Sequence, residues 1–342
     1  MGLPLHDAIR SGNEKLAASL IENGASLSAK SLQGHTPLHM AAFVGAVEST
    51  KMLLQRGADK DPRADYNQRT PLYYAARSNH TAVVRVLLEA GADPTRRGGF
   101  GDETPMIAAI TSNALGVVKT MIELGVDVDE PNYGSWTPLH RASEEKDSSV
   151  DMVDLLIGNG ANVDARDADG STPLHFCTSI AKVRSLVNHG ADVNAQNKDG
   201  STPLHSAVTP KSYQTEYAIS NMVEIVDFLL EAGADETVVD NFGGTALMRS
   251  MRSSHEDEDE ADQVTRAREL LANAPADRAD RRWRRRAPLV MCVARHRRGE
   301  AQLLDDAAGG AGDDWTRVAV WVLGAGLEGA MEGIFRTIVM LL

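Results

Sequence analysis

Cysteine is nearly missing from this chain. Cys177 and Cys292 are the only two in 342 residues, too few for a disulfide framework, so a reducing compartment is expected. Long apolar runs are missing too. The longest near the end, Val318 to Leu327, is about half the length that spans a bilayer. The first residues, Met1-Gly2-Leu3-Pro4-Leu5-His6, hold no basic stretch followed by an apolar core, so no secretory leader is expected. His6 stands where a myristoylation signal needs Ser or Thr. The expected setting is intracellular, cytoplasmic or nuclear, without membrane insertion. Catalytic patterns are equally scarce: no nucleophile elbow, P-loop or paired carboxylates occur, and no His/Cys cluster has zinc spacing. The run Gly324-Ala325-Gly326-Leu327-Glu328-Gly329 matches the glycine pattern of dinucleotide sites, but thirteen residues follow it, too few for the βαβ unit that this mechanism needs. No enzymatic activity, cofactor, metal or small-molecule substrate is expected.

Positive charge is in short supply. Lys and Arg number 35 against 48 Asp and Glu, a net charge of −13. That balance favours solubility and makes nucleic acid an unlikely partner class. It is uneven: residues 275–342 hold 11 Arg, no Lys and 9 acids for +2, and the residues before them carry −15.

What the chain has in abundance is one repeated stretch. Asp169-Gly170-Ser171-Thr172-Pro173-Leu174-His175 returns as Asp199-Gly200-Ser201-Thr202-Pro203-Leu204-His205. Looser copies begin at Thr36, Thr70, Thr104 and Thr137, a degenerate one at Thr245 and an incomplete one at Leu3. Self-similarity at 30 to 43 residues, mostly 33 to 35, means a stack of like units rather than two globular domains. Each position has a physical task. The Gly takes the positive φ of a tight turn, Thr is a helix N-cap, Pro at the first helical position loses no hydrogen bond, and Leu begins a buried stripe. Later in each unit, residues such as Val83, Val84, Leu87 and Leu88 share one helical face before Gly91 closes the helix. Histidines 39, 140, 175 and 205 fill one slot in register, which argues for hydrogen bonding at helix starts instead of metal ligation.

The Thr-Pro-Leu-His start, the Ala41-Ala42 and Ala75-Ala76 pairs and the closing Gly-Ala-Asp of residues 57–59, 91–93, 190–192 and 233–235 resemble the ankyrin-repeat family. The resemblance implies an all-α repeat solenoid over residues 1–274, about eight helix–turn–helix units with projecting β-hairpins, starting near 3, 36, 70, 104, 137, 172, 202 and 245. It also implies a non-enzymatic scaffold that binds another protein through its hairpin tips and the concave face of its first helices.

Departures from the period mark individual units. The unit at 137 carries two extra residues, within Glu144–Ser148, and the unit at 172 is three short, so its first helix is expected to be clipped. The unit at 202 has ten extra residues around Pro210–Tyr217, and the unit at 245 holds an insertion with the acidic run Glu256–Glu260. Residues 275–342 break the pattern with nine Arg between Arg278 and Arg298, a Gly/Ala/Asp linker and an amphipathic stripe from Leu327 to Leu342. The Arg-rich run could neutralise the chain's own acidic segment 256–262, bind RNA or a nuclear carrier, or stay unstructured. A ubiquitin-ligase substrate adaptor is the alternative function, although Leu289-Val290-Met291-Cys292 has one residue too few between Leu and Cys to match a SOCS box.

Candidate contact residues come from the unit starts. The residue four before Thr is aromatic in three successive units: Tyr66, Phe100 and Tyr133. Trp136 directly precedes Thr137, Arg69 and Arg77 take neighbouring surface slots in the unit at 70, and Phe43 lies on the first helix of the unit at 36. Stacked helices lie about 8–10 Å apart, so the tip aromatics should form a ladder, and aromatics and Arg are the usual anchors of interfaces. The competing reading is that the tips pack on each other for stability.

Overall fold

A computed structural model describes residues 4–99, 101–145, 148–208, 222–252 and 265–272. Phe100, Cys292, the insertion around Pro210–Tyr217, the acidic run Glu256–Glu260 and the whole of residues 275–342 lie outside the described residues, and with them the expectations placed there.

The chain folds as a row of helix pairs. They are α1 (Pro4–Arg10) with α2 (Glu14–Glu22), α3 (Pro37–Val44) with α4 (Val47–Gln55), α5 (Pro71–Arg77) with α6 (Thr81–Glu89), and α7 (Pro105–Thr111) with α8 (Leu115–Glu123). Next come α9 (Pro138–Glu144) with α10 (Val150–Gly158), a four-residue 3₁₀ turn Pro173–Phe176 with α11 (Ile180–Asn188), α12 (Pro203–Ala207) with α13 (Met222–Glu231), and α14 (Ala246–Arg252). Residues 265–272 are helical. First helices pack on first helices, α1 on α3, α3 on α5, α5 on α7 and α7 on α9, while α2, α4, α6 and α8 form a second layer behind them. The Leu of each start and the Ala pair seal the layers: Leu38, Leu72, Leu139, Ala41, Ala42, Ala75 and Ala76 are all fully buried.

The starts fold as their chemistry requires. The Thr70 and Thr104 hydroxyls each accept the backbone N–H of the third helical residue at 3.3 Å, and Gly91 ends its unit at φ 78°. The projecting loops are tighter than a two-stranded ribbon. In the loop at 167–171 two backbone bonds, Asp167 N–H to the Ser171 carbonyl at 3.0 Å and Gly170 N–H to the Asp167 carbonyl at 2.9 Å, close the turn. The Asp167 carboxylate then accepts the amides of Asp169 and Ser171 at 2.9 and 2.8 Å. The side chain thus does what a strand ladder would, and among the described residues β-bridge pairing occurs between Gly98 and Glu103.

The repeated histidines join neighbouring units. Thr36 donates its N–H to His39 Nδ1 at 3.1 Å. That fixes the proton on Nε2, which donates to the carbonyl of Arg69 in the next unit at 3.0 Å. His140 and His175 reach the carbonyls of Ser171 and Ser201 at 3.0 Å, and His205 that of Gly244 at 3.1 Å. His6 does the same to the His35 carbonyl at 2.8 Å. Burial is the chief cause that lowers all four in-register histidines, His39 to about 4, so they are neutral near pH 7.

The clipped unit has its own repair. Where the first helix shrinks to Pro173–Phe176, Lys182 of α11 is buried at 3% exposure. Its ammonium donates to the Ala142 carbonyl at 2.8 Å and to the Glu145 carbonyl. A cation on the last carbonyls of α9 satisfies groups that a helix end leaves open.

Candidate functional site

The residue before each Thr and the residue four after it build a linked row along the first helices. It begins with Tyr74, whose hydroxyl accepts from Asn67 Nδ2 at 2.9 Å and lies 2.9 Å from His35 Nε2. The Phe43 ring stands edge-on to it at 6.2 Å. Beside it Tyr73 takes the slot that His fills in other units. Its ring is fully buried, and its hydroxyl donates to Glu103 Oε2 at 2.8 Å, a side chain of the next unit. Burial first, and the Glu103 charge second, push the phenol up to about 12.

The row continues through Glu103. Its other oxygen accepts from Arg141 Nη2 at 3.2 Å, and Arg141 Nη1 reaches Glu144 at 3.1 Å. The Arg141 guanidinium lies 5.4 Å over the Trp136 ring. Trp136 donates its indole N–H to Asp167 at 3.0 Å and meets the Phe176 ring at 4.7 Å. Side chains of five successive units are thus connected, and Glu103 and Arg141 each have partners on both sides.

The candidates from the sequence divide into two sets. Tyr66 and Tyr133 stand at loop tips, 83% and 84% exposed, with no side-chain hydrogen bond or ring contact among the described residues; the middle rung, Phe100, falls outside them. Phe43, Arg69, Arg77 and Trp136 join the row. Phe43 is 55% exposed and Arg77 is exposed. Arg69 departs from the expected surface slot: it is half-buried, with its guanidinium 4.5 Å over the Tyr73 ring, because the close approach of Gly98 and Gly99 covers it. Trp136 is likewise half-buried. Sequence reasoning passed over Tyr73, Tyr74, Glu103, Arg141 and Phe176. The signal was the fourth position after each Thr, filled by Tyr74, Arg141 and Phe176, one turn along the same face.

Among the described residues no group of three or more His, Cys, Asp or Glu is placed to hold a metal ion, and no helix is long and apolar enough to cross a membrane. Cys177 is buried, which pushes its thiol up to about 12 and leaves it a poor nucleophile.

A family model described as ankyrin repeats matches residues 5–98, 96–167 and 146–235. The chain belongs to the ankyrin-repeat family, and its helical stack is that of a repeat solenoid. Over 61 residues it is also 36% identical to protein phosphatase 1 regulatory subunit 27 of Homo sapiens, and equally to that of Mus musculus. The match takes in 18% of this chain and spans 40% of the length of these relatives.

Proposed function

We propose that this chain is a non-catalytic scaffold that binds another protein on the face of its first helices and the adjoining loop tips, between the units at 36 and 172. The observation that carries the reading is the concentration of aromatic and Arg side chains there, from Phe43 and Tyr74 through Arg77 to Trp136 and Phe176. Buried aromatic and Arg anchors dominate interface energies. Ankyrin repeats serve as protein-binding modules, and the relatives are named as regulatory subunits, which supports a role through binding. No observation favours the ligase-adaptor alternative.

The test is affinity capture from cytosol with the wild-type chain and with Phe43→Ala/Tyr66→Ala/Tyr133→Ala, read by quantitative mass spectrometry. These three side chains are more than half exposed, so their removal should leave the melting temperature nearly unchanged. The expected result is a specific partner on the wild type that the triple variant loses. Equal capture by both would end this reading of the face, and a collapse in stability would make the aromatics structural.

A further inference from the structure

We infer that the partner segment is acidic: one of its carboxylate side chains is received between Arg69 and Arg77, with a neighbouring apolar side chain on Phe43 and Tyr74. The inference rests on the scaffold reading and names the chemistry that the face would recognise.

This acidic chain puts several of its arginines in ion pairs. Arg85 pairs with Glu123, Arg97 with Glu130, Arg141 with Glu103 and Glu144, and Arg249 with Asp240. Arg69 and Arg77 flank a single ring, yet neither is in an ion pair among the described residues. Arg77 donates one long bond, 3.4 Å, to the Tyr73 hydroxyl. Arg69 lies over that ring at 4.5 Å, and its buried Nε has no acceptor. Tyr73 supplies no negative charge, since its hydroxyl keeps its proton to donate to Glu103. Glu103 is itself committed to Tyr73 and Arg141. Two guanidinium groups therefore meet the same tyrosine, one over its ring and one at its hydroxyl, without an ion-pair partner among the described residues and near the half-exposed aromatic surface of Phe43 and Tyr74.

A carboxylate fits this arrangement. A guanidinium offers planar, paired N–H groups that match two carboxylate oxygens, and charge-assisted bonds of this kind are about twice as strong as neutral ones. The exposed edge of Phe43 beside Tyr74 gives the adjacent residue an apolar seat. A nucleic acid would offer anions too, but the net charge of −13 opposes it over the rest of the surface.

The experiment uses the full chain as bait for a phage-displayed random-peptide library, followed by fluorescence anisotropy on the enriched peptides. Arg77→Glu is the test variant, chosen because Arg77 is exposed, and Arg63→Glu, exposed on a loop, is the control. The expected result is enrichment of peptides with Asp or Glu beside Leu, Phe or Trp. Their binding should fall at least about tenfold with Arg77→Glu and with the Asp→Asn or Glu→Gln peptide, weaken as salt rises, and hold with Arg63→Glu. Enriched peptides without an acid, acidic peptides that bind Arg77→Glu as well as wild type, or no enrichment at all would overturn the inference. The capture comparison on Phe43, Tyr66 and Tyr133 would still decide the scaffold reading separately.

Discussion

The stretch from the unit at 36 to the unit at 137 and the stretch from 172 to 202 share one scaffold and differ in what it presents. In both, a histidine joins one unit to the next with the same 3.0 Å bond, His39 to Arg69 and His175 to Ser201. The residue just before the capping Thr is His35, Arg69, Glu103 or Trp136 in the first stretch, and Ser171, Ser201 or Gly244 at the later starts. The joint uses a backbone carbonyl, which every residue offers, so the side chain at that position is free to vary without weakening the stack. Aromatic and charged side chains occupy that position in the first stretch, and small ones occupy it in the later stretch. Tyr73 departs from this joint: it replaces the histidine, and its hydroxyl reaches a side chain, Glu103, where His reaches a carbonyl.

Acid should strike the shared scaffold hardest. The in-register histidines have folded pKa values below the unfolded 6.5, His39 at about 4. The native state therefore binds fewer protons, and the stability they contribute is fully present above pH 6.5 and is lost as pH falls below it, for His39 down to about 4. For His39 alone this is on the order of 3 kcal/mol. Urea midpoints measured from pH 7.5 to 4.5 should fall steadily; a flat profile would contradict neutral histidine joints. Next in size, His140→Ala should cost about 2–4 kcal/mol. It removes a buried side chain and strands the Thr137 amide and Ser171 carbonyl.

The later stretch can be broken at its repair. Lys182→Ala should cost about 1–3 kcal/mol, since the Ala142 carbonyl loses its buried donor. Lys51→Ala, half of a pair 44% and 67% exposed, should stay within about 0.5 kcal/mol; equal effects on thermal unfolding would show Lys182 to be dispensable. Tyr73→Phe, which removes the hydroxyl bond to Glu103, should cost about 1 kcal/mol and change peptide binding more than stability. The smallest effect is expected from Tyr66→Ala/Tyr133→Ala, within about 0.5 kcal/mol in denaturant titration, because both rings are in water. A larger loss would favour tip-to-tip packing.

The sequence by itself determined the helix starts, their Thr and Pro caps, the left-handed glycines, the clipped helix at Pro173–Phe176 and the helix-start bonds of the repeated histidines. These rest on interactions within a few residues, where period and residue type are enough. The bonds of those histidines to the next unit's carbonyls came from the structure. Only the tertiary structure decided which side chains of neighbouring units meet. Tyr73 and Glu103 are 30 residues apart, and Arg141 and Glu103 are 38 apart. Their link depends on side-chain reach across two stacked joints, which no local pattern encodes. The same stacking buries Arg69 under Gly98 and Gly99 and leaves Arg77 in solvent. The two arginines read alike in the sequence, and packing alone set them apart.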